Sequence, residues 1–239
     1  MFDRTTMAST ARAEVLSAFM RGVYKWMSLG LLLTAGVAWI TASSPAILSQ
    51  LINVQTGSPT MLFWVALIGE FGLVMYISAR IARMSAQRAT GLFMLYSALN
   101  GLTLSFIFLV YTQSSIMQTF LVCAGMFGAM SIYGMVTKRD LTGMGHFMMM
   151  GLFGIIIASV VNMFLRSAAM DFVISIIGVL VFTALTAYDT QKLRVMGETA
   201  PMGDSAALQR GTILGALTLY LDFINLFLFL LRFMGSSRD

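Results

Sequence analysis

The sequence predicts an all-α polytopic membrane protein with seven transmembrane helices, and its composition and patterning support this fold class. Apolar residues make up 58% of the 239 positions and charged residues only 10%, compared with about 25% charge in an ordinary soluble domain. The apolar residues fall into seven runs. Each run is close in length to the roughly 20 residues that a helix needs to cross a bilayer. The rest of the chain suffices only for a tail and short loops. A soluble enzyme and a disordered chain are therefore excluded.

The elements follow in chain order. Residues 1–24 are polar to amphipathic and predict a short cytoplasmic tail with an interfacial helix. The membrane domain is expected to cover residues 25–233, and residues 234–239 form a C-terminal tail. We expect no cleavable signal, because the first apolar run begins only near Trp26 and six more follow. The seven spans are placed at residues 25–43, 60–80, 89–111, 116–137, 146–165, 170–190 and 211–233.

The basic residues predict the orientation of the chain in the membrane. Twelve of the fifteen Lys and Arg residues fall in the N-terminal tail and in alternate loops. Positive-inside bias therefore places the N-terminus in the cytoplasm, and seven spans then place the C-terminus outside. Arg232 and Arg238 oppose that last placement, and a re-entrant seventh segment would bring them inside. The net charge of +5 is explained by this pattern, and no nucleic-acid partner is expected.

Carboxylates inside the apolar runs are candidate functional residues, because a charge at bilayer depth costs at least about 2.5–3.5 kcal/mol. Glu70, Asp189 and Asp222 meet this condition. Helical spacing places Asp222 on a stripe that includes Thr218 and Asn225, and such a stripe faces protein or water rather than lipid. Asp189 ends a similar stripe on span six that includes Thr186. The alternatives are a buried polar helix contact for Asp222 and an interfacial ion pair with Lys192 or Arg194 for Asp189.

Spans six and seven are consecutive, so tilt or offset would bring Asp189 and Asp222 together. Such a pair would share a proton and titrate as a unit, and without the proton it would offer hard oxygen ligands to a transient Ca²⁺. Arg80, at the cytoplasmic end of span two, is a candidate counter-charge or an ordinary positive-inside anchor. Glu70 lies about 15 Å from Arg80 along the helix. It and Asn100 are possible pore-lining or supporting residues, and Asn100 alternatively makes a polar helix contact.

Several other activities find no motif in the sequence. The single histidine, His146, and the absence of HExxH and CxxC motifs argue against a zinc site. The Met-rich run at residues 143–150 suits Cu(I), but the 21 methionines are spread over the whole chain and are typical packing residues. No phosphate-binding glycine loop is present, which argues against an ATP-driven pump. Cys123 is the only cysteine, so no internal disulfide forms. We expect no cofactor.

Two long segments resemble the hallmark segments of the Bax inhibitor-1 family, the transmembrane Bax-inhibitor-motif proteins. They are TALTAYDTQKLR (183–194) and GALTLYLDFINLFLFLLRF (215–233). The segments FMLYSALNGLTLSFIF (93–108), AGMFGAMSIYG (124–134) and TKRDLTGMG (137–145) are similar to its bacterial inner-membrane branch. The resemblance runs from about Tyr24 to Arg232.

The resemblance implies a seven-helix fold whose last helix is central, in the bacterial inner membrane. It implies that Asp189 and Asp222 act as a pH sensor that latches the cytoplasmic side of a pore, and that Arg80 engages this pair. It also implies a pH-sensitive calcium leak, with links in some members to cell-death suppression or to a membrane-bound quality-control protease.

Three function classes follow. The first is a passive, proton-gated cation leak, chiefly for Ca²⁺, since so few carboxylates allow only weak coordination. Protonation would either release an Arg80 contact and open the pore or create a carboxyl hydrogen bond and shut it. The second is a non-conducting partner of a membrane protease or stress response, docked through the tail or the loop 195–210. The third, less favoured, is an intramembrane aspartyl protease, because Asp222 lies in LYLDF rather than in GxGD.

Overall fold

The computed structural model describes residues 4–53, 56–200 and 204–236, and in these ranges the chain is helical apart from short connections. The prediction of an all-α membrane fold is confirmed. Seven helical stretches are long and apolar enough to cross a membrane, as the sequence predicts. The helices are α1 (Arg4–Ser43), α2 (Pro45–Leu51), α3 (Met61–Arg80), α4 (Ala86–Leu104), α5 (Ile107–Val110), α6 (Gln113–Val136), α7 (Thr142–Leu165), α8 (Ala168–Glu198) and α9 (Ser205–Met234), with a 3₁₀ turn at Ile81–Arg83.

The predicted tail and first span form a single helix. α1 runs without a break from Arg4 to Ser43, so no boundary exists near residue 25. The apolar positions Phe19, Val23 and Met27 are buried on one face of it, and no proline interrupts the segment. A helix continues where nothing breaks its hydrogen bonds and where one face is buried. Residues 1–3 of the expected tail and 237–239 of the expected C-terminal tail lie outside the described residues.

The third predicted span, 89–111, is divided in two. α4 ends at Leu104 and α5 begins at Ile107. At the break the carbonyl oxygen of Leu102 accepts from the hydroxyl of Ser105 at 2.6 Å and from the amide of the same residue at 3.3 Å, a local bonding pattern that competes with the regular helix. α2 also lies in a segment that the sequence suggested only as a loop.

Ordinary capping chemistry fixes several helix ends. The Ser85 hydroxyl accepts a hydrogen bond from the amide of Arg88 at the start of α4, and the Thr112 hydroxyl accepts one from Ser115 at the start of α6. α7 ends at Arg166, which adopts the left-handed conformation with φ 50°. These connections are short and polar, but the loop expected at residues 195–210 is mostly helical, because α8 runs to Glu198 and α9 begins at Ser205.

The chain forms two compact units. The first comprises Met1–Val110 with Met196–Leu217, and the second comprises Tyr111–Val195 with Thr218–Asp239. In the first unit α4 packs on both α1 and α3. A side chain at Gly101 would approach the carbonyl oxygen of Thr34 to 2.7 Å, and the Thr34 hydroxyl donates to Ser97 O at 2.8 Å. Small residues thus let two membrane helices approach closely.

The second unit is also held by small residues and by aromatic rings. The Phe223 ring of α9 makes edge contacts with Phe120 and Phe127 of α6, and a side chain at Gly178 of α8 would overlap the Phe229 ring. Of the seven apolar helices, α9 buries the largest share of its residues. A last helix at the centre of the others would be buried in this way, and its central placement stays a prediction.

Candidate functional site

The two aspartates singled out from the sequence lie side by side in the second unit. Asp222 of α9 is only 5% exposed, and Asp189 of α8 is half-buried. Their carboxyl groups are within hydrogen-bonding reach of each other. Two ionised carboxylates offer acceptors only, so a hydrogen bond between them requires one shared proton. The arrangement is therefore capable of storing one proton between two helices.

Within the described part of the chain, one oxygen of Asp222 receives no hydrogen bond from a donor group. Its Oδ2 atom is buried, and among the described residues it has no hydrogen-bond partner. A buried polar atom without a partner costs about 1–3 kcal/mol. Asp222 therefore keeps hydrogen-bonding capacity that a further donor could use.

Positive charge reaches Asp189 from its own helix. Lys192, three residues further along α8, interacts electrostatically with Asp189, and its Nζ lies 6.0 Å from the centre of the Tyr188 ring. Arg194, the other cation that the sequence offered, instead donates from Nη1 to the carbonyl oxygen of Met135 at 2.7 Å. Lys192 is therefore a cation whose charge acts on Asp189.

The polar residues on the two stripes mostly bond within their own helices. The Thr186 hydroxyl is buried and donates to Phe182 O at 2.8 Å. The Asn225 amide donates to Leu221 O at 2.8 Å, and Thr218 is half-buried. These side chains line the same helix faces as the aspartates, but Thr186 and Asn225 direct polar atoms to main-chain carbonyls. Their supporting role remains a prediction.

Arg80 is the last residue of α3, in the first unit, and its side chain is exposed. Both interpretations made from the sequence, an anchor at the membrane surface and a counter-charge for the aspartates, require a charged side chain that water or another polar group can reach. The engagement of Arg80 with the aspartate pair remains a prediction.

Glu70 forms a separate polar cluster inside the first unit. Its side chain is 6% exposed on α3, and Oε2 accepts a hydrogen bond from Asn100 Nδ2 at 3.1 Å while Oε1 accepts one from Thr103 Oγ1 at 2.8 Å. Asn100 is thus a polar helix contact, one of the two roles considered for it. The sequence analysis did not identify Thr103, although its i+3 spacing from Asn100 on α4 places both on one face.

A second polar cluster that the sequence did not reveal lies where α7, α8 and α9 have their ends. Asp171 Oδ1 accepts from Arg232 Nη1 and from Asn162 Nδ2, each at 3.4 Å. Asp171 and Arg232 are nearly half exposed. Burial raises the pKa of the nearby Tyr111. The long, exposed ion pair is worth little in stability, so Asp171 serves as a rim residue with which Asp222 can be compared.

Metal ligands are sparse around the aspartates. In the described ranges no three His, Cys, Asp or Glu residues come together in a way that would hold a metal ion, and His146 is exposed on α7. The pair alone would offer up to four carboxylate oxygens, fewer than the six to eight that a Ca²⁺ ion takes. Any cation at the pair would complete its shell with water or main-chain oxygens.

Seven helices that are long and apolar enough to cross a membrane define a polytopic membrane protein. A family model described as "Inhibitor of apoptosis-promoting Bax1" matches residues 16–239. The inner membrane protein YbhL of Escherichia coli is 54% identical over 238 residues, 99% of each chain. Uncharacterized proteins of Borreliella burgdorferi and Rickettsia prowazekii are 47% and 46% identical, over 95% and 98% of this chain and 97% and 96% of their own. The chain belongs to the Bax inhibitor-1 family and is a multi-pass inner-membrane protein. None of these names states an enzymatic activity.

Proposed function

We propose that this protein is a proton-sensitive passive leak for cations, chiefly Ca²⁺, across the bacterial inner membrane. The observation that carries the proposal is the contact between the carboxyl groups of Asp189 and Asp222. It joins α8 to α9 through a group whose charge depends on pH. With one proton the two carboxyls attract each other, and without it two like charges in a low-dielectric site repel.

The change in force acts directly between two membrane helices. Asp222 is almost completely buried, so water screens the repulsion less than it would at a surface. One buried oxygen of Asp222 has no partner among the described residues, and it would gain one from a rearranged helix, from water or from a cation. The pair therefore combines a proton switch with a weak cation ligand.

Weak coordination favours conduction over storage. Ions pass through a site only when binding is favourable enough for entry and weak enough for release. Two carboxylates meet that requirement better than a complete calcium cage does. We further propose that the protein is not an enzyme and that its N-terminus lies in the cytoplasm, which places the Asp189 end of α8 on the cytoplasmic side.

The test is calcium flux into dye-loaded liposomes between pH 5 and 8. The wild type is compared with Asp189→Asn, Asp222→Asn and the double variant, and with Asp171→Asn as the matched control on α8. We expect protein-dependent flux in the wild type, with a pH midpoint that moves or vanishes in the variants of the pair and stays in the control.

Equal pH curves for Asp222→Asn and Asp171→Asn would refute the assignment of the sensor. Absence of flux above that of empty liposomes at every pH, from protein shown to be folded, would refute the leak. That result would favour a non-conducting partner of a membrane-bound protease or of a stress response, and co-purification of the protease would support it.

A further inference from the structure

A buried glutamine clamps the loop between α6 and α7 to the helix that carries Asp189. Gln191 of α8 is 9% exposed. Its Nε2 donates to the carbonyl oxygen of Arg139 at 2.8 Å, and its Oε1 accepts from the amide of Leu141 at 2.9 Å. One side-chain amide thus bonds both an N–H group and a carbonyl oxygen of the loop main chain.

Further polar contacts from the same stretch of α8 reach α6. Arg194 Nη1 donates to the carbonyl oxygens of Met135 at 2.7 Å and Thr137 at 3.4 Å, at the C-terminal end of α6. The Thr190 hydroxyl is 3.5 Å from the Ser131 hydroxyl. These bonds hold one side of α8 to the end of α6 and to the loop that follows it.

The helices are also in direct backbone contact at this level. A side chain at Gly134 of α6 would overlap the carbonyl oxygen of Ala187, and its Cβ would lie 3.0 Å from the Cβ of Thr190. Gly145 of α7 packs on the Tyr188 ring in the same way. The turn of α8 around Asp189 is therefore held by directional bonds and by close packing rather than by apolar side chains alone.

We propose that Gln191 is a positioning residue for Asp189, and this inference rests on the proposed role of the aspartate pair as a proton sensor. Residues two apart on an α-helix point to nearly opposite sides. Gln191 therefore binds the α6–α7 loop from one side of α8. Asp189 extends its carboxyl group toward Asp222 from the opposite side. Without the clamp, the helix turn gains freedom to rotate and the two carboxyls no longer keep one geometry.

The charges around Asp189 in the second unit make this positioning measurable. Asp222 on α9 and Lys192 on α8 interact with it electrostatically. Further charged or titratable side chains lie in the loop between α6 and α7, in α7 and in α8 itself. They are the exposed Lys138, Arg139, Asp140 and His146 and the half-buried Arg194. Because Coulomb energy depends on distance, a small rotation of the turn changes the balance between Asp222 and Lys192.

The experiment measures the proton on the pair directly by infrared titration of purified full-length protein in lipid nanodiscs. The carboxylic C=O band of the pair is assigned by its loss in Asp189→Asn and Asp222→Asn. Gln191→Leu removes both hydrogen bonds at similar volume and adds no charge. Lys138→Arg, an exposed change in the same loop that keeps the charge, is the control. Exchange of the Leu141 amide reports whether the clamp is broken.

We expect Gln191→Leu to lose protection at the Leu141 amide and to shift the midpoint of the carboxyl band by about 0.5–1 pH unit, the equivalent of one ordinary hydrogen bond. The control should keep the wild-type midpoint. If Gln191→Leu does not fold, Gln191→Asn keeps the amide but shortens its reach, and a smaller shift of the midpoint is expected.

An unchanged midpoint despite the lost protection would show that the clamp is only structural and would overturn the proposal. Retained protection at Leu141 would overturn it too, because Gln191 would then not hold the loop. Failure of the leak is distinct, since it would appear as absent calcium flux from a wild type whose carboxyl band still titrates.

Discussion

Glu70 offers a direct measure of what a buried carboxyl contributes to this fold, because two substitutions separate its shape from its hydrogen bonds. Glu70→Leu removes both acceptors, which receive bonds from Asn100 at 3.1 Å and Thr103 at 2.8 Å. Glu70→Gln keeps one acceptor oxygen for Asn100. The Thr103 hydroxyl can then donate its own proton to the main-chain carbonyl oxygen of Asn100, 3.1 Å away. It is thereby free to accept a hydrogen bond from the new amide.

The expected magnitudes follow from the number of bonds lost. Hydrogen bonds between membrane helices contribute about 0.6 kcal/mol on average and up to about 1.7 kcal/mol. Loss of two should therefore lower the free energy of unfolding by roughly 1–3 kcal/mol in Glu70→Leu. Glu70→Gln exchanges one bond for another of similar kind and should cost less than about 1 kcal/mol.

The assay is reversible unfolding in mixed micelles, with helix content followed by circular dichroism as the fraction of dodecyl sulfate is raised. Phe71→Leu is the control, since Phe71 is the next residue on α3 and is 67% exposed. The reasoning is refuted if Glu70→Leu is as stable as the control. It is also refuted if Glu70→Gln loses as much as Glu70→Leu, because volume and not hydrogen bonding would then decide.

Three further predictions use the same protein. Gly134→Ala should lower the free energy of unfolding by roughly 1–3 kcal/mol, because its Cβ would overlap the α8 backbone. Gly128 has open space around it, so Gly128→Ala should leave the free energy of unfolding unchanged or raise it by up to about 1 kcal/mol. The micelle titration compares the two variants. Hydrogen bonds from Thr142 hold the pKa of Asp140 below its usual value. The contribution of Asp140 to stability should therefore be complete above about pH 4 and should fall as the pH drops through the lowered pKa. A stability difference between wild type and Asp140→Asn that does not narrow in acid would contradict this prediction. Cys123, which is fully buried, should react with maleimide only along the unfolding curve, and rapid labelling of folded protein would contradict its burial.

The sequence predicts the membrane helices well because their signal is local. Each span is a run of apolar residues of bilayer length, and most predicted boundaries from residue 60 onward lie within four residues of the helix ends. The exceptions are the end of α8, at Glu198 rather than residue 190, and the start of α9, at Ser205 rather than residue 211. The tail and the first span share one helix because a helix that leaves the membrane keeps its hydrogen bonds in water, so the loss of apolar residues near Lys25 does not end it. The break at Ser105 also escaped prediction, because a single hydroxyl in an apolar run is not distinctive.

The candidate site was predictable as residues but not as contacts. The cost of burying charge identifies Glu70, Asp189 and Asp222 from the sequence alone. Whether two of them meet depends on the tilt and offset of α8 and α9, which the close packing of small and aromatic residues helps to set. Gln191 gives no signal at all, since a glutamine near a helix end is ordinary until its two main-chain partners are known.

The two buried carboxyl sites differ in how completely they are satisfied, and this difference assigns their roles. Both Glu70 oxygens accept a hydrogen bond from a neighbouring helix. A rearrangement would therefore add no hydrogen bond that Glu70 lacks, and the side chain acts as a fixed contact between α3 and α4. Asp222 keeps one buried oxygen that receives no hydrogen bond from a donor group among the described residues, and its contact with Asp189 depends on a shared proton. A group that costs stability in one arrangement can lower its free energy in another. Asp222, rather than Glu70, is therefore the carboxyl on which a switch between two states would depend.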